Sequence, residues 1–294
     1  MPNSIVGELI DLLQLERLED NLFRGQSRDI GTRYVFGGQV LGQALSAAQQ
    51  TVEAERGAHS LHAYFLRAGD IEAPIVYNVE RTRDGRSFST RRVIAIQHGE
   101  QIFNCTVSFQ IGEPGLEHQT SMPDVPKPDD IPSTRLLSAD ELAKLPPKLQ
   151  RWFGRNGPFE LRPVHPRNEL KPEKRPPLQY VWFRLVDRVA DAPALHRAML
   201  AYASDFNLIG TAMLPHGISF VQHNVQVASL DHAMWFHRPL RVDEWLLYAC
   251  DSPTAQGACG LARGQFFSLD GRLVASTAQE GMIRVSPDAP AEAK

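Results

Sequence analysis

GGQVLGQALSAAQQTVEAE, residues 37–55, decides how the rest of the chain is read. Alanine, leucine, glutamine and glutamate are good helix formers. Gly38, Gly42, Ala44 and Ala47 are small enough to let another backbone approach closely. Four stretches of strand character follow, at 59–66, 74–83, 87–97 and 101–110. Gly85, the pair His98-Gly99 and Gly112 separate or end them as turn residues. One long helix ahead of a run of antiparallel strands predicts an α+β arrangement, with the helix packed on one sheet face.

The same order recurs later in the chain. Helix-like residues 193–203 and 206–214 precede strand character at 227–236, 244–251, 258–267 and 273–283, and Asp270-Gly271 is a tight-hairpin signal. A constant shift of 171 lays residues 64–109 on 235–280. Tyr64-Phe65 then falls on Trp235-Phe236, Ile75-Val76-Tyr77 on Leu246-Leu247-Tyr248, and Arg92 on Arg263. His98-Gly99 lands one residue short of Asp270-Gly271. This is the mark of an internal duplication. Thirteen of the 21 prolines lie between Pro114 and Pro177, including MPDVPKPDDIPS at 122–133. Proline removes amide donors and fixes φ, which excludes a central strand or a long helix there. The expected organisation is an amino-terminal unit at 1–112, a Pro-rich connector at 113–177 and a carboxy-terminal unit at 178–294. One short helix is expected near 138–145, stopped by Pro146-Pro147. Two repeats, each a sheet wrapped round a helix, resemble a double hotdog.

Composition narrows the function classes. At 294 residues the chain is long for one core. A net charge of −3 supplies no basic field to attract nucleic acid. Three scattered cysteines, Cys105, Cys250 and Cys259, form no disulfide framework and suit a reducing cytoplasm, where they are expected to be small buried residues. Ile5, Val6, Leu9, Ile10, Leu12 and Leu13 recur at helical spacing, as in an amphipathic helix and unlike a signal peptide. No apolar run approaches the ~20 residues that cross a bilayer, and the final APAEAK is a polar tail. Apolar strand segments such as LDHAMWF predict self-association, as a homodimer or homotetramer.

Six segments carry a more specific likeness: LFRGQSRDIGTRYVFGGQVLGQAL (22–45), HSLHAYFLRAGD (59–70), RDGRSFSTRRVIAIQHG (83–99), AYASDFNLIGTAMLPHG (201–217), LDHAMWFHRPLRVDEWLLY (230–248) and VASTAQEGMIR (274–284). Together they closely resemble the acyl-CoA thioesterase II family of double-hotdog enzymes, from about residue 8 to residue 285. The resemblance implies hydrolysis of medium- to long-chain acyl-CoA to free acid and CoA, with no cofactor. It further implies that Asp205, Ser229 and Gln279 of the second repeat orient the attacking water. Many bacterial members carry threonine where this chain has Ser229, which keeps the hydroxyl but loses the methyl that restricts χ1.

Each residue also has a plain structural reading. Asp205, between two helical stretches, suits an N-cap. Ser229 suits a strand end, and Gln279 suits an amide satisfying its neighbours. Asp231-His232 looks like a dyad, but neighbours on a strand point to opposite faces. By the same rule His59 and His62, oddly spaced, are expected on opposite faces, with His59 a candidate pocket residue. Arg81, Arg83, Arg86, Arg91 and Arg92 concentrate charge around one hairpin; Arg91 and Arg92 are candidates for CoA phosphates, against the plain reading of a solvated strand face. No GxSxG elbow occurs, and the ten histidines form no HxxxH or HExxH pattern, so neither a serine nucleophile nor a metal is expected. Two rivals stand beside hydrolysis. A hotdog enoyl-CoA hydratase would carry Asp-x-Asn-Pro-x-His, but Asp205-Phe206-Asn207-Leu208-Ile209-Gly210 lacks the proline and the histidine. A non-catalytic acyl-CoA binding module is the other.

Overall fold

The apolar spacing at the amino terminus forms the expected helix. In the computed structural model, which describes residues 4–131, 139–147, 150 and 157–286, helix α1 spans Ile5–Leu13. Ser4 caps it by accepting the Gly7 N–H at 3.0 Å, and Val6, Leu9, Leu12 and Leu13 face inward. Helix α2 spans Gly37–Gln49, so it stops short of the predicted end at residue 55. The cause lies at Thr51. Its hydroxyl donates back to the Ala48 carbonyl at 2.8 Å, and its own carbonyl accepts from Arg91 at 3.1 Å. A short helix α3 (Ala139–Ala143) lies in the connector, Ser138 being outside the described residues. Helices α4 (Pro193–Ser204) and α5 (Leu208–Met213) follow in the second repeat. The APAEAK tail is also outside the described residues.

The strands of the first repeat are β1 (Glu16–Glu19), β2 (Leu22–Gly25), β3 (Arg56–Phe65), β4 (Ile75–Asp84), β5 (Phe88–Gln97) and β6 (Glu100–Ile111). Those of the second are β7 (Phe159–Pro163), β8 (Leu178–Leu185), β9 (Val225–Ser229), β10 (Asp231–Phe236), β11 (Leu246–Gln256), β12 (Cys259–Ser268) and β13 (Leu273–Val285). They form one 13-stranded sheet in the order β1-β2-β4-β5-β6-β3-β10-β13-β12-β11-β8-β7, with β9 also on β13. The two repeats join at β3 and β10, paired antiparallel with Tyr64 opposite Asp231, His62 opposite Ala233 and Ser60 opposite Trp235. A shift of 171 carries Ser60 to Asp231 and Tyr64 to Trp235, so the pairing is two-fold symmetric about His62 and Ala233. The single-residue slip at the turns also has a cause. His98-Gly99 is a two-residue hairpin, whereas the Ser268 N–H reaches the Arg272 carbonyl across three residues.

Helices α2 and α4 lie against each other, antiparallel, beneath the sheet. A Cβ at Gly38 would come within 2.2 Å of the Tyr202 carbonyl oxygen, and one at Gly42 within 3.0 Å of the Ala198 oxygen. This is the close backbone approach that the small residues predict. Ala44 and Ala47 are also fully buried, but at about 100° per residue they face away from Gly38 and do not belong to this contact.

Three sequence expectations change. The strand predicted over 227–236 is broken at Leu230 into β9 and β10, because the Asp231 carboxylate, at 2.7 Å, accepts the Glu280 N–H that a strand carbonyl would have taken. Residues Phe159–Pro163, inside the predicted connector, form an edge strand paired with β8. The Pro-rich run does more than connect: the Pro126 carbonyl accepts from the Trp182 indole at 2.9 Å, and Met122, Val125 and Ile131 pack with Trp182, Trp245 and Phe267. Cys105 and Cys250 are buried, while Cys259 is partly exposed. Among the described residues, no helix is long and apolar enough to cross a membrane.

Candidate active site

Three side chains distant in sequence meet where α4 ends and α2 begins. Asp205 is the C-cap of α4, at φ −81° and ψ −13°. The N-cap of α5 is Asn207, in the left-handed region at φ 65°, so Asp205 does not cap the helix that follows it. It caps a helix of the other repeat instead. Its Oδ2 accepts the Gly38 N–H at 2.9 Å, and α2, with Phe36 at its N-cap, has no capping side chain of its own. The carboxylate thus faces the positive end of α2. Glycine at 37 is what allows this approach, since a Cβ there would lie 2.7 Å from Asp205 Oδ2.

Ser229 ends β9, and the register sets it opposite Gly281, two residues beyond Gln279 on β13. Gln279 is fully buried. Its Nε2 donates to Asp205 Oδ1 at 2.9 Å and to Ser229 Oγ at 2.7 Å. The Ser229 hydroxyl stands near enough to the carboxylate to help hold its charge. Burial pushes the Asp205 carboxyl above the ordinary carboxylate range, and the donors Gln279, Gly38 and Ser229 draw it part of the way back. A carboxylate offers about four lone-pair sites, of which the Gly38 N–H and Gln279 Nε2 take two. Beside it, Gln279 Oε1 is buried with no partner among the described residues. Asp205 is only partly buried and keeps a lone pair able to accept a proton from one water.

A buried network holds the end of α4. Tyr248 Oη donates to the Ser204 carbonyl at 2.8 Å and lies 3.0 Å from Thr277 Oγ1. Ser204 Oγ donates to the Ala201 carbonyl at 2.8 Å and stands 3.0 Å from His232 Nε2. Gly264 leaves room for the Tyr248 ring, 2.3 Å from where its Cβ would be. Burial pushes the Tyr248 phenol up and the His232 imidazole down to about 3, so both are neutral near pH 7. Sequence reasoning missed Ser204, Tyr248 and Thr277, which stand in ordinary helix and strand patterns; only their burial marks them. Asp231 and His232 point apart, as strand alternation requires: the carboxylate goes to Glu280 and the imidazole to Ser204.

The other candidates lie elsewhere. Arg91 is a correction: it is 1% exposed. All five of its N–H donors are engaged, with Thr51 twice, Asp84, and the Arg83 and Thr90 carbonyls, which leaves none for a phosphate. It binds at the far end of α2 from Asp205, roughly 20 Å along a 13-residue helix. Arg92 is exposed and paired with Glu80 at 3.4 Å. His59 bonds Ser108 at 2.8 Å and meets the Phe88 ring edge-on, on the outer sheet face. His62 shares that face, contrary to the odd spacing, because a bulge between Ala58 and Ser60 inserts a residue and restores parity.

The site occurs once per chain. The repeat relation carries Ser229 to Ala58 and, past the extra turn residue, Gln279 to Val107, both apolar and buried. Setting α2 on α4 carries Asp205 to Gln49, whose amide donates to the Ala194 carbonyl at 3.2 Å, the counterpart of Gly38. The first repeat therefore keeps the geometry without the carboxylate. Among the described residues, no group of three or more His, Cys, Asp or Glu side chains is placed to hold a metal.

Comparison with known proteins agrees across the whole chain. The family profile described as acyl-CoA thioesterase matches residues 150–282, and that of the acyl-CoA thioesterase N-terminal domain matches 25–110. Acyl-CoA thioesterase 2 of Haemophilus influenzae is 45% identical over 284 residues, covering 97% of this chain and 99% of its own. The crystal structure of the acyl-CoA thioesterase II TesB2 from Mycobacterium marinum is similar at a TM-score of 0.78 and 44% identity, covering 97% of this chain and 99% of that one. A hot dog fold protein from Alicyclobacillus acidocaldarius, 21% identical with a TM-score of 0.75, shares the fold over 97% of this chain and 99% of its own.

Proposed function

This chain belongs to the acyl-CoA thioesterase II family and is a thioester hydrolase; from that premise we propose that Asp205, Ser229 and Gln279 hold the water that cleaves medium- to long-chain acyl-CoA. The observation that carries the assignment is the convergence of three side chains: Gln279 Nε2 bonds both Asp205 Oδ1 and Ser229 Oγ, beside a carboxylate that keeps a lone pair for water. A water held there presents its lone pair to the thioester carbonyl at near-attack distance. As the C–O bond forms, Asp205 takes one proton as general base. A carboxyl pushed up by burial is a better base than an exposed one, and the positive end of α2 keeps it ionised. The same helix end lies near the oxygen on which negative charge develops. Collapse of the tetrahedral intermediate breaks the C–S bond, releasing CoA as the thiolate, and Asp205 returns its proton to the leaving sulfur. A thiolate leaves without help from a covalent relay, so the reaction needs neither an enzyme-bound ester nor a cofactor.

The hydratase reading finds no second acid-base group, because the position its histidine would occupy is Gly210. We read 1–112 and 178–294 as the two repeats and 113–177 as the segment between them, place the enzyme in the cytoplasm on its unpaired cysteines, and expect it to act as a homodimer or homotetramer. Free-thiol release from palmitoyl-CoA tests the site. We expect Asp205→Ala and Gln279→Ala to lose about 10²–10⁴ in kcat, the range of a positioned acid-base group, and expect no hydration of crotonyl-CoA by the wild type. Full activity in Asp205→Ala would remove Asp205 from the mechanism.

A further inference from the structure

An apolar cleft is lined by Ala203, Phe206 and Asn207, the residues that flank Ser204 and Asp205 in sequence. Phe159, Phe183, Phe206 and Tyr248 close it down to about 10 Å³. Leu161, Val181 and Asn207 also line a second, larger cavity of about 710 Å³, so the two adjoin. That volume lies in the range of sites that enclose a small molecule, about 300–1,000 Å³. The larger cavity is lined by residues of 161–181 and by Leu214, which ends α5. Helix α5 and the stretch 163–176 have no counterpart in the first repeat, which also lacks the polar cluster.

The lining chooses between the two ends of the substrate. Its charged groups are largely engaged with one another and with backbone: Arg167 pairs with Glu169, Glu169 also accepts from Ser219, and Arg175 donates to the His165 and Pro166 carbonyls at 3.3 and 3.0 Å. The larger part of the lining is apolar, with Leu161, Val164, Leu178, Tyr180, Val181 and Leu214, beside the polar His165, Gln179 and Asn207. This surface suits hydrocarbon and not a nucleotide phosphate.

We infer that the acyl chain of the substrate runs from Asp205 through the aromatic constriction into this cavity, and that Leu161 and Leu178 set which chain lengths are accepted. The inference rests on the proposed site at Asp205. Passage requires the constriction to widen by rotation of its rings, so short acyl groups stop at Phe206 and long ones reach Leu161 and beyond. Leu161 and Leu178 are 39% and 49% exposed, so substitutions there are tolerated by the fold.

The test is a ladder of acyl-CoAs from butanoyl to palmitoyl, run on wild type, Leu161→Trp, Leu178→Asp and Arg175→Ala. The readout is the ratio of kcat/KM for palmitoyl-CoA to that for butanoyl-CoA, which a partly unfolded preparation does not alter. We expect the ratio to fall at least tenfold in Leu161→Trp and in Leu178→Asp, and to hold within twofold in Arg175→Ala. An unchanged ratio in both leucine variants overturns the inference. So does a rise in KM of similar size at every chain length in Arg175→Ala, which would place the nucleotide in the cavity. Asp205→Asn, run on the same ladder, separates the two readings: it lowers all lengths together if the site is right, whatever the leucine variants do.

Discussion

Replacing Gly38 with alanine tests packing and catalysis at once. The added Cβ would lie 2.2 Å from the Tyr202 carbonyl oxygen and 2.5 Å from Cε1 of Phe36. A carbon meets a carbonyl oxygen comfortably at about 3.3 Å, so α2 must move about 1 Å away from α4. Ala44, Leu45, Ala47 and Ala48 on α2 are fully buried and leave no empty space to move into. A gap of 0.5–1 Å forfeits roughly a quarter to a half of each dispersion contact, and overpacking of this kind costs about 1–3 kcal/mol. Because the obstacle is backbone, we take the upper end, about 3 kcal/mol. The better helix propensity of alanine returns about 1 kcal/mol, leaving a net loss of about 2 kcal/mol. The same movement carries the Gly38 N–H away from Asp205 Oδ2, now at 2.9 Å, so kcat should fall at least tenfold, as when one positioned donor is lost. Equilibrium guanidinium unfolding and thiol release measure the two effects. Gly112→Ala is the control, because nothing lies within 4 Å of its Cβ position. If Gly38→Ala matches that control in both stability and rate, the helix contact is not what seats the carboxylate.

Two consequences concern pH. Because burial raises the Asp205 carboxyl and catalysis needs it ionised, kcat should fall on the acid side with an apparent pKa above the ordinary carboxylate range, and this limb should vanish in the residual activity of Asp205→Asn. The buried His232 imidazole is held down to about 3 in the fold, against about 6.5 in the unfolded chain. The unfolded state therefore binds more protons between these limits; stability is full above about pH 6.5 and declines as the pH falls toward 3, by on the order of 4 kcal/mol at most. Urea midpoints at pH 7 and pH 4.5 should differ less in His232→Gln than in the wild type, and equal differences would show that His232 does not carry the effect.

Much of the fold was legible in the sequence because strands and hairpin turns announce themselves locally. The 171-residue shift laid β4–β6 on β11–β13 and met the single extra residue in the second turn as a slip of one. It did not extend to α2 and α4, since the second repeat inserts α5 between its helix and its long strands. Strands β1, β2, β7 and β8 escaped notice: Glu16–Glu19 is exposed at every residue, so it carries no alternation, Leu22–Gly25 has only four residues, Phe159–Pro163 ends in proline, and Leu178–Leu185 follows directly on the Pro-rich run. Side chains that replace backbone partners also escape a local reading. Asp231 breaks a predicted strand by taking one N–H, and Arg91 reads as surface charge although its guanidinium closes a buried hydrogen-bond set. At the site, the family likeness selected Asp205, Ser229 and Gln279, and their contact appears only when the end of α4 meets strands β9 and β13 within the second repeat. That Asp205 caps the other repeat's helix is a relation across 167 residues that no window of sequence contains.

A single turnover in H₂¹⁸O, with enzyme in excess over palmitoyl-CoA, addresses the direct attack of water most squarely. Direct attack places one ¹⁸O in the palmitate released and leaves the peptide containing Asp205 unlabelled. Unlabelled palmitate together with ¹⁸O in the Asp205 carboxylate would mean that Asp205 itself attacked and formed an anhydride, contradicting the account.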